Sequence, residues 1–493
     1  MSALQELAGI LKLRIVQLLA LLIFITGVGS LCFITKLSVL DPDVWWHLSV
    51  GNWIVQNRAF PHTGIFSRTA AARPWMAYSW GFEVLLSRAY DWFGFMGIAL
   101  FGTALTLAVA LALFWMMHRL SGRFWLAWTL SIPTCFAFLF NIMPRPVFFT
   151  MMLFAITMAV ILKAQQTGRV QVLYWLPFIF LLWANLHIQF IYGIFAVGLF
   201  AGINVLQRGA MSLRVYPDFL ATPILPAANI FAVLGCCVLA TCIGPYSYHL
   251  YEIVFGYSTS KIIYTMLAEL QPLSFAGPSH FVELFLAASG FLALGWRKRL
   301  DPFKVALLIA ACIFAFRTTR DAWFLCIVAA AILADFQAPE EARDTGTTAP
   351  ECAGLAVVAS FLLFLVASNV GFNSRDLDLA ISGQFPVDAV NFLRRNPVPG
   401  PLYNVFDWGG FLIFYMPQYP VAIDGRTDLY GDQIDSQFFA TENAEPSYLT
   451  DAYLNEAGVV ILKNTFPLAL ILPTDRRFRV IYRDDVATVL SRN

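Results

Sequence analysis

The sequence predicts a polytopic α-helical membrane protein of about eleven spans, with a small external α/β domain at its C-terminal end. Three observations predict it. The 493 residues are 59% hydrophobic and only 13% charged, where soluble domains carry about 25% charged residues. Apolar runs of membrane-spanning length alternate with short loops rich in Lys and Arg. After Val370 the composition changes, and residues 371–493 alternate strand-like with helix-like segments.

Lys12 and Arg14 precede roughly 20 apolar residues, too long for a signal-peptide core, and no small-x-small cleavage site follows. This run reads as a retained first span. The candidate spans are 15–35, 94–117, 124–142, 146–163, 172–187, 190–206, 227–245, 280–296, 303–316, 322–335 and 353–370. With the N-terminus in the cytoplasm, the cytoplasmic loops hold Arg119 and Arg123, Lys163 and Arg169, Arg208 and Arg214, the Arg297–Lys304 cluster, and Arg343. Each short cytoplasmic loop then carries Lys or Arg, as the positive-inside rule requires. An odd number of spans places the C-terminus outside. The division expected is a transmembrane domain over 1–370 and an external α/β domain over 371–493.

The first external loop, 36–93, contains "VWWHLSVGNWIVQ" and "YSWGFEVLLSRAYDWF". Their apolar spacing reads as amphipathic helices lying on the bilayer, with Trp45, Leu48 and Trp53 on the membrane-facing side. The loop 246–279 is rich in Tyr and long enough to cover a cavity. A polar linker, 337–351, precedes the last span. In the tail, "PVDAVNFLRRN" looks helical, and "PLYNVF", "YPVAIDG", "GVVILKN", "FRVIYR" and "VATVLSR" look like strands. "IDGRTDLYGD" reads as a strand followed by a loop.

The net charge of +1 gives no electrostatic reason to expect nucleic acid. The eight cysteines lie in or beside apolar runs without metal-ligand spacing and read as small hydrophobic filler. Walker, GxSxG, HExxH and CxxC patterns do not occur.

The chemistry-bearing residues fall on the external side of this topology. Asp41 and Asp43 follow the first span at once, with His47 and Glu83 in the same loop. An Asp before a helix is a natural N-cap, which accounts for one of the two aspartates. Arg145, His187, Arg317 and Arg320 stand at external ends of spans. Ionisable groups at membrane depth are costly and mark function. A carboxylate can deprotonate a hydroxyl, and a guanidinium fork matches phosphate oxygens. Arg317 and Arg320, three apart, share a face if they are helical. The tail adds Asp407, Asp424, Arg426 and Asp428, with Tyr430 and Asp432, read either as turn chemistry or as acceptor-side contacts.

On "DPDVWWHLSVGNWI", "FPHTGIFSRT" and "RPWMAYSWGFEVLL" the chain resembles the first external loop of bacterial GT-C glycosyltransferases, polytopic enzymes that use a polyprenyl-phosphate-linked sugar. "RPVFF" at 145–149, "WANLH" at 183–187 and the segment 404–432 look like further landmarks of one bacterial branch. More distantly the chain is similar to the oligosaccharyltransferase catalytic subunit and to protein mannosyltransferases. The segment Phe406-Asp407-Trp408-Gly409-Gly410 departs from the acceptor-binding WWDYG of the former. The resemblance implies a catalytic role for Asp43 or Asp41, with Arg145, His187, Arg317, Arg320, His47 and Glu83 around the donor. It implies a lipid-linked sugar donor, a glycan, lipid or protein acceptor, and residence in the bacterial inner membrane. The external loops hold no clear second DxD or ExE; Glu252 and Glu269 are the nearest acids. A divalent cation (Mg or Mn) would therefore draw on Asp41 and Asp43. Two other readings stand beside it: a transporter or flippase that uses the same residues to bind lipid-linked glycans, and a scaffold whose external domain binds a partner, which leaves the Asp pair unexplained.

Overall fold

Long apolar stretches without interior charge become helices here, because a chain in a hydrocarbon environment satisfies its backbone polar groups within each helix. The computed structural model describes residues 3–139, 143–259, 263–336 and 348–493. Arg343, most of the 337–351 linker and the end of the 124–142 span lie outside the described residues. Among the described residues six helices are long and apolar enough to cross a membrane. They are Leu13–Leu40, Trp80–Ser121, Val147–Thr167, Phe190–Ser212, Pro278–Gly295 and Ala349–Asn369. Shorter apolar helices run over Phe124–Phe138, Val170–Leu186 and Ala227–Thr241.

The chain divides into two units. The first comprises Met1–Thr35, Gly102–Ser247 and Glu269–Phe372. At its centre the helix Ala322–Phe336 is buried on nearly every side, as expected of a helix that is apolar all round. It packs against Phe124–Phe138, Val147–Thr167, Pro278–Gly295 and Pro302–Arg317. The end of the central helix is pinned by Asp335, which accepts from Lys304 Nζ and Arg297 Nη2 at 2.8 Å each and from Gln166 Nε2 at 2.9 Å. Elsewhere in this unit Arg14 grips Glu351 bidentately at 2.6 and 2.9 Å.

The second unit comprises Lys36–Phe101, Tyr248–Ala268 and Asn373–Asn493. The first external loop and the tail thus fold together. The helix Pro42–Asn57 starts where Asp41 caps it: Asp43 N–H donates to Asp41 Oδ1 at 3.0 Å, and Pro42 occupies the first helical position. Trp45 and Leu48 differ from the membrane-facing expectation, since both are fully buried. The Trp45 ring lies 5.2 to 5.8 Å from the rings of Phe95, Phe385, Phe411, Phe414 and Tyr415. Periodicity correctly gives an apolar face, but the tail helix Gly409–Tyr415 covers it. Gly410 permits the close approach: a Cβ there would lie 2.8 Å from the Pro42 carbonyl oxygen.

The tail sheet has four strands: β1 (Leu402–Asn404), β2 (Val459–Lys463), β3 (Phe478–Arg483) and β4 (Ala487–Arg492), in the order β1-β2-β4-β3. β1 runs parallel to β2, and the other pairs are antiparallel. The helix over Val387–Arg395 stands where "PVDAVNFLRRN" predicts one. "YPVAIDG", expected as a strand, forms a loop instead. Pro420 and Gly425 bound it, Val421 makes an isolated parallel bridge to Ser67, and the Asn404 side chain donates to Ile423 O and accepts from Ala422 N at 2.8 Å each. "IDGRTDLYGD" is also not strand then loop. A helix begins at Thr427 and runs to Glu442, kinked at Gly431, where φ is 71°.

Candidate functional site

The cap at Asp41 fixes where the next residues point. Asp41 is buried, its Oδ1 committed to the helix N-terminus, whereas Asp43 on the first turn is half-exposed. Asp43 Oδ1 accepts from Trp46 Nε1 at 3.1 Å. The backbone of Gly425 passes close to the same oxygen, and a Cβ at Gly425 would lie 2.1 Å from it. Only a glycine lets the tail loop come this near. The Trp46 indole lies with its centroid 3.5 Å from that of His47. His47 is buried, and its Nδ1 lies 3.1 Å from Glu83 Oε1. Arg426 and Asp428 both act electrostatically on Glu83.

The loop that carries Gly425 is held by a buried lock. Arg426 donates from Nε and Nη2 to the two Asp424 oxygens at 2.7 Å each, and from Nη2 to the Ile65 carbonyl at 2.9 Å. The Tyr430 hydroxyl donates to Asp424 Oδ2 at 2.6 Å. The guanidinium lies 4.7 Å from the centroid of the Trp75 ring. Both charged side chains are 0% exposed. Burial works against the Arg426 cation, yet Asp424 holds its pKa above the ordinary value. Burial pushes Asp428 up to about 6, against the pull of Arg426. Asp407 is more open and lies 3.7 Å from Lys463 Nζ.

The first unit has its own polar cluster. The helix Pro302–Arg317 ends at Arg317, Thr318 is extended, and Arg320 sits in the 3₁₀ turn Thr319–Asp321. Arg317 and Arg320 therefore do not share one helical face; the break at Thr318 separates them. Arg320 instead meets Arg145 across Glu269. Arg145 Nη1 lies 3.4 Å from Glu269 Oε2, and Arg320 Nη1 lies 3.4 Å from Oε1. Burial would raise the Glu269 pKa, but Arg320 and Arg145 outweigh it and hold the group below its ordinary value. Asp321 accepts from the Tyr192 hydroxyl at 2.7 Å and from the Thr318 hydroxyl at 2.8 Å. His187 is buried, its Nδ1 2.8 Å from the Thr150 hydroxyl, which also accepts from Trp183 Nε1.

The fold thus joins Asp43 to Trp46 and Gly425, His47 to Glu83, Asp424 to Arg426, and Arg145 to Arg320 through Glu269. Sequence reasoning named Tyr430 with Asp424 and Arg426 but missed Trp46, Gly425, Trp75 and Tyr192 as parts of these clusters. An aromatic donor three residues after Asp43 is the one signal that was visible. Oδ1 of Asp41 and Oδ1 of Asp43 each accept from a protein N–H, and among the described residues no three His, Cys, Asp or Glu side chains gather to hold a metal ion.

No family model and no curated protein matches the chain. Among solved structures it is similar to the Archaeoglobus fulgidus oligosaccharyltransferase tethered with an acceptor peptide containing the NVT sequon, with a TM-score of 0.51 and 13% identity. The alignment covers 90% of this chain and 69% of that one. A structure of the same enzyme in complex with Zn and sulfate aligns with a TM-score of 0.42 and 13% identity, over 89% of this chain and 68% of that one. At that score it adds nothing to the comparison. The chain has a fold similar to that of the oligosaccharyltransferase.

Proposed function

We propose that the chain is a GT-C-type glycosyltransferase of the bacterial plasma membrane. It transfers a sugar from a polyprenyl-phosphate donor to an acceptor hydroxyl outside the cytoplasm, with inversion at the anomeric carbon. The reading is supported above all by Asp43, a half-exposed carboxylate on a capped helix, aimed by Trp46 and backed by Gly425. Asp43 takes the hydroxyl proton as the acceptor oxygen bonds to the anomeric carbon. The bond from that carbon to the phosphate oxygen breaks, and its electron pair leaves with the phosphate. General-base help of this kind is worth about 10²–10⁴-fold. In the first unit, Arg145 and Arg320 are the guanidinium forks suited to a lipid phosphate.

In this reading Asp41 is a cap, His47 and Glu83 buttress Trp46, and the Asp424–Arg426–Tyr430 lock sets the loop that backs Asp43. Asp407, being open, and Asp428 are the tail groups available to an acceptor. The N-terminus is cytoplasmic and the tail lies outside.

The test is glycan and lipid profiling of a deletion strain beside one that carries Asp43→Asn. Both strains should lose the same glycoconjugate and accumulate the same donor lipid. A normal profile in the Asp43→Asn strain, with the protein present at wild-type level, sinks the proposal.

A further inference from the structure

Two arginines from distant parts of the sequence converge on one carboxylate in the first unit. Arg145 and Arg320 approach different oxygens of Glu269, each at 3.4 Å. Charge-assisted Arg–carboxylate bonds normally close to about 2.7–2.9 Å, so both contacts are slack. The Glu269 side chain is also 41% exposed. A pair that is both long and open to water contributes little. The neighbouring carboxylate is different: Asp321 is held by two hydroxyl donors at 2.7 and 2.8 Å.

The backbone that carries Glu269 is nevertheless anchored. The Thr319 hydroxyl donates to the Glu269 carbonyl at 2.8 Å, and Thr319 N–H donates to Gln271 O at 3.0 Å. Leu273 N–H donates to Phe316 O at 3.3 Å. A fixed main chain therefore presents a loosely held carboxylate to two guanidinium groups. That geometry sets the Glu269 carboxylate between the two guanidinium groups without a short contact to either.

We infer that Glu269 is an internal stand-in for an anion. It bridges Arg145 and Arg320 until the phosphate group of a lipid monophosphate displaces it. The inference rests on the proposed donor-phosphate role of the two arginines and adds to it a residue that opposes binding. A phosphate oxygen pair reaches both forks with more charge than a carboxylate. The Glu269 side chain is exposed enough to swing aside while its main chain stays put. The cost of displacing it is part of every binding event, so removing its charge tightens binding.

The test uses the full-length protein in nanodiscs and a polyprenyl monophosphate as probe, with phosphatidylglycerol as the second ligand. Glu269→Gln should bind the monophosphate about threefold more tightly than wild type, and Arg320→Ala about tenfold or more weakly. Phosphatidylglycerol should compete poorly. If Glu269→Gln binds no better while Arg320→Ala is impaired, the stand-in role falls and the arginine site survives. If neither Arg320→Ala nor Arg145→Ala changes binding, the phosphate site itself is wrong. Equal competition by phosphatidylglycerol overturns the assignment to a monophosphate. Thermal unfolding of each variant serves as the folding control, and a purely structural Glu269 would give weaker binding on charge removal.

Discussion

Trp46 holds Asp43: the indole N–H donates to Oδ1 at 3.1 Å, from one turn further along the same helix. Trp46→Phe keeps the aromatic packing and removes the donor. Its turnover should drop by about tenfold, less than the roughly 10²–10⁴-fold expected for Asp43→Asn. Asp41→Asn, which keeps a cap oxygen, should stay active. Equal losses in Trp46→Phe and Asp41→Asn, measured as sugar transfer by purified protein, would show that both act only on stability.

Gly425 is the point of closest approach between the tail and Asp43. A Cβ there meets Asp43 Oδ1 at 2.1 Å and Trp46 Nε1 at 3.1 Å. Gly425→Ala should therefore displace the carboxylate and remove most activity. Gly383→Ala, whose added Cβ meets nothing within 4 Å, is the control. Comparable activity in the two variants would exclude Gly425 from the site.

The Asp424–Arg426 lock is buried and bidentate, so lysine cannot replace the arginine. Arg426→Lys should lower stability by about 3 kcal/mol, because it leaves a buried carboxylate poorly matched. Chemical denaturation of the full chain gives the number. A wild-type midpoint would mean that the loop is held by its other contacts.

Stability should fall as pH rises. Burial lifts Glu442 and Asp435 each to about 8. A carboxyl whose folded pKa lies above its unfolded value stabilises most below the unfolded value. That stability is lost between about pH 4 and pH 8 as the unfolded chain ionises first. Phe406 N–H, Asp407 and Lys463 act on Glu442, while Asp424, Asp428, Asp432 and Arg73 act on Asp435. Glu442→Gln keeps an oxygen for Phe406 N–H, a bond of 2.6 Å in the native protein. Its melting temperature should exceed the wild type's at about pH 8 and approach it at about pH 5. A difference independent of pH would contradict the buried-carboxyl account.

Local signals were legible in the sequence. Asp41 is the cap that its position before Pro42 suggests, and β2, β3 and β4 occupy the expected apolar runs. What escaped was anything decided at long range. Trp45 and Leu48 show the helical spacing of a lipid-facing stripe, and only the arrival of Phe385, Phe411 and Tyr415 makes that stripe a core. The loop "YPVAIDG" has strand composition but makes only an isolated bridge to Ser67, and the Asn404 side chain meets its next residues. Arg145, Arg320 and Glu269 lie 124 or more positions from one another or in separate turns, and no spacing rule links them.

The five rings around Trp45 arrive at very different times during synthesis. Phe95 follows soon after, but Phe385, Phe411, Phe414 and Tyr415 are made only after the whole of the first unit. Gly425, which backs Asp43, comes later still. A nascent chain made only that far thus carries the Pro42–Asn57 helix with an unshielded tryptophan and no wall behind the Asp43 carboxylate. Contacts of such high sequence separation form slowly and leave apolar surface open meanwhile. Prematurely terminated copies would display that bare helix to quality-control proteases.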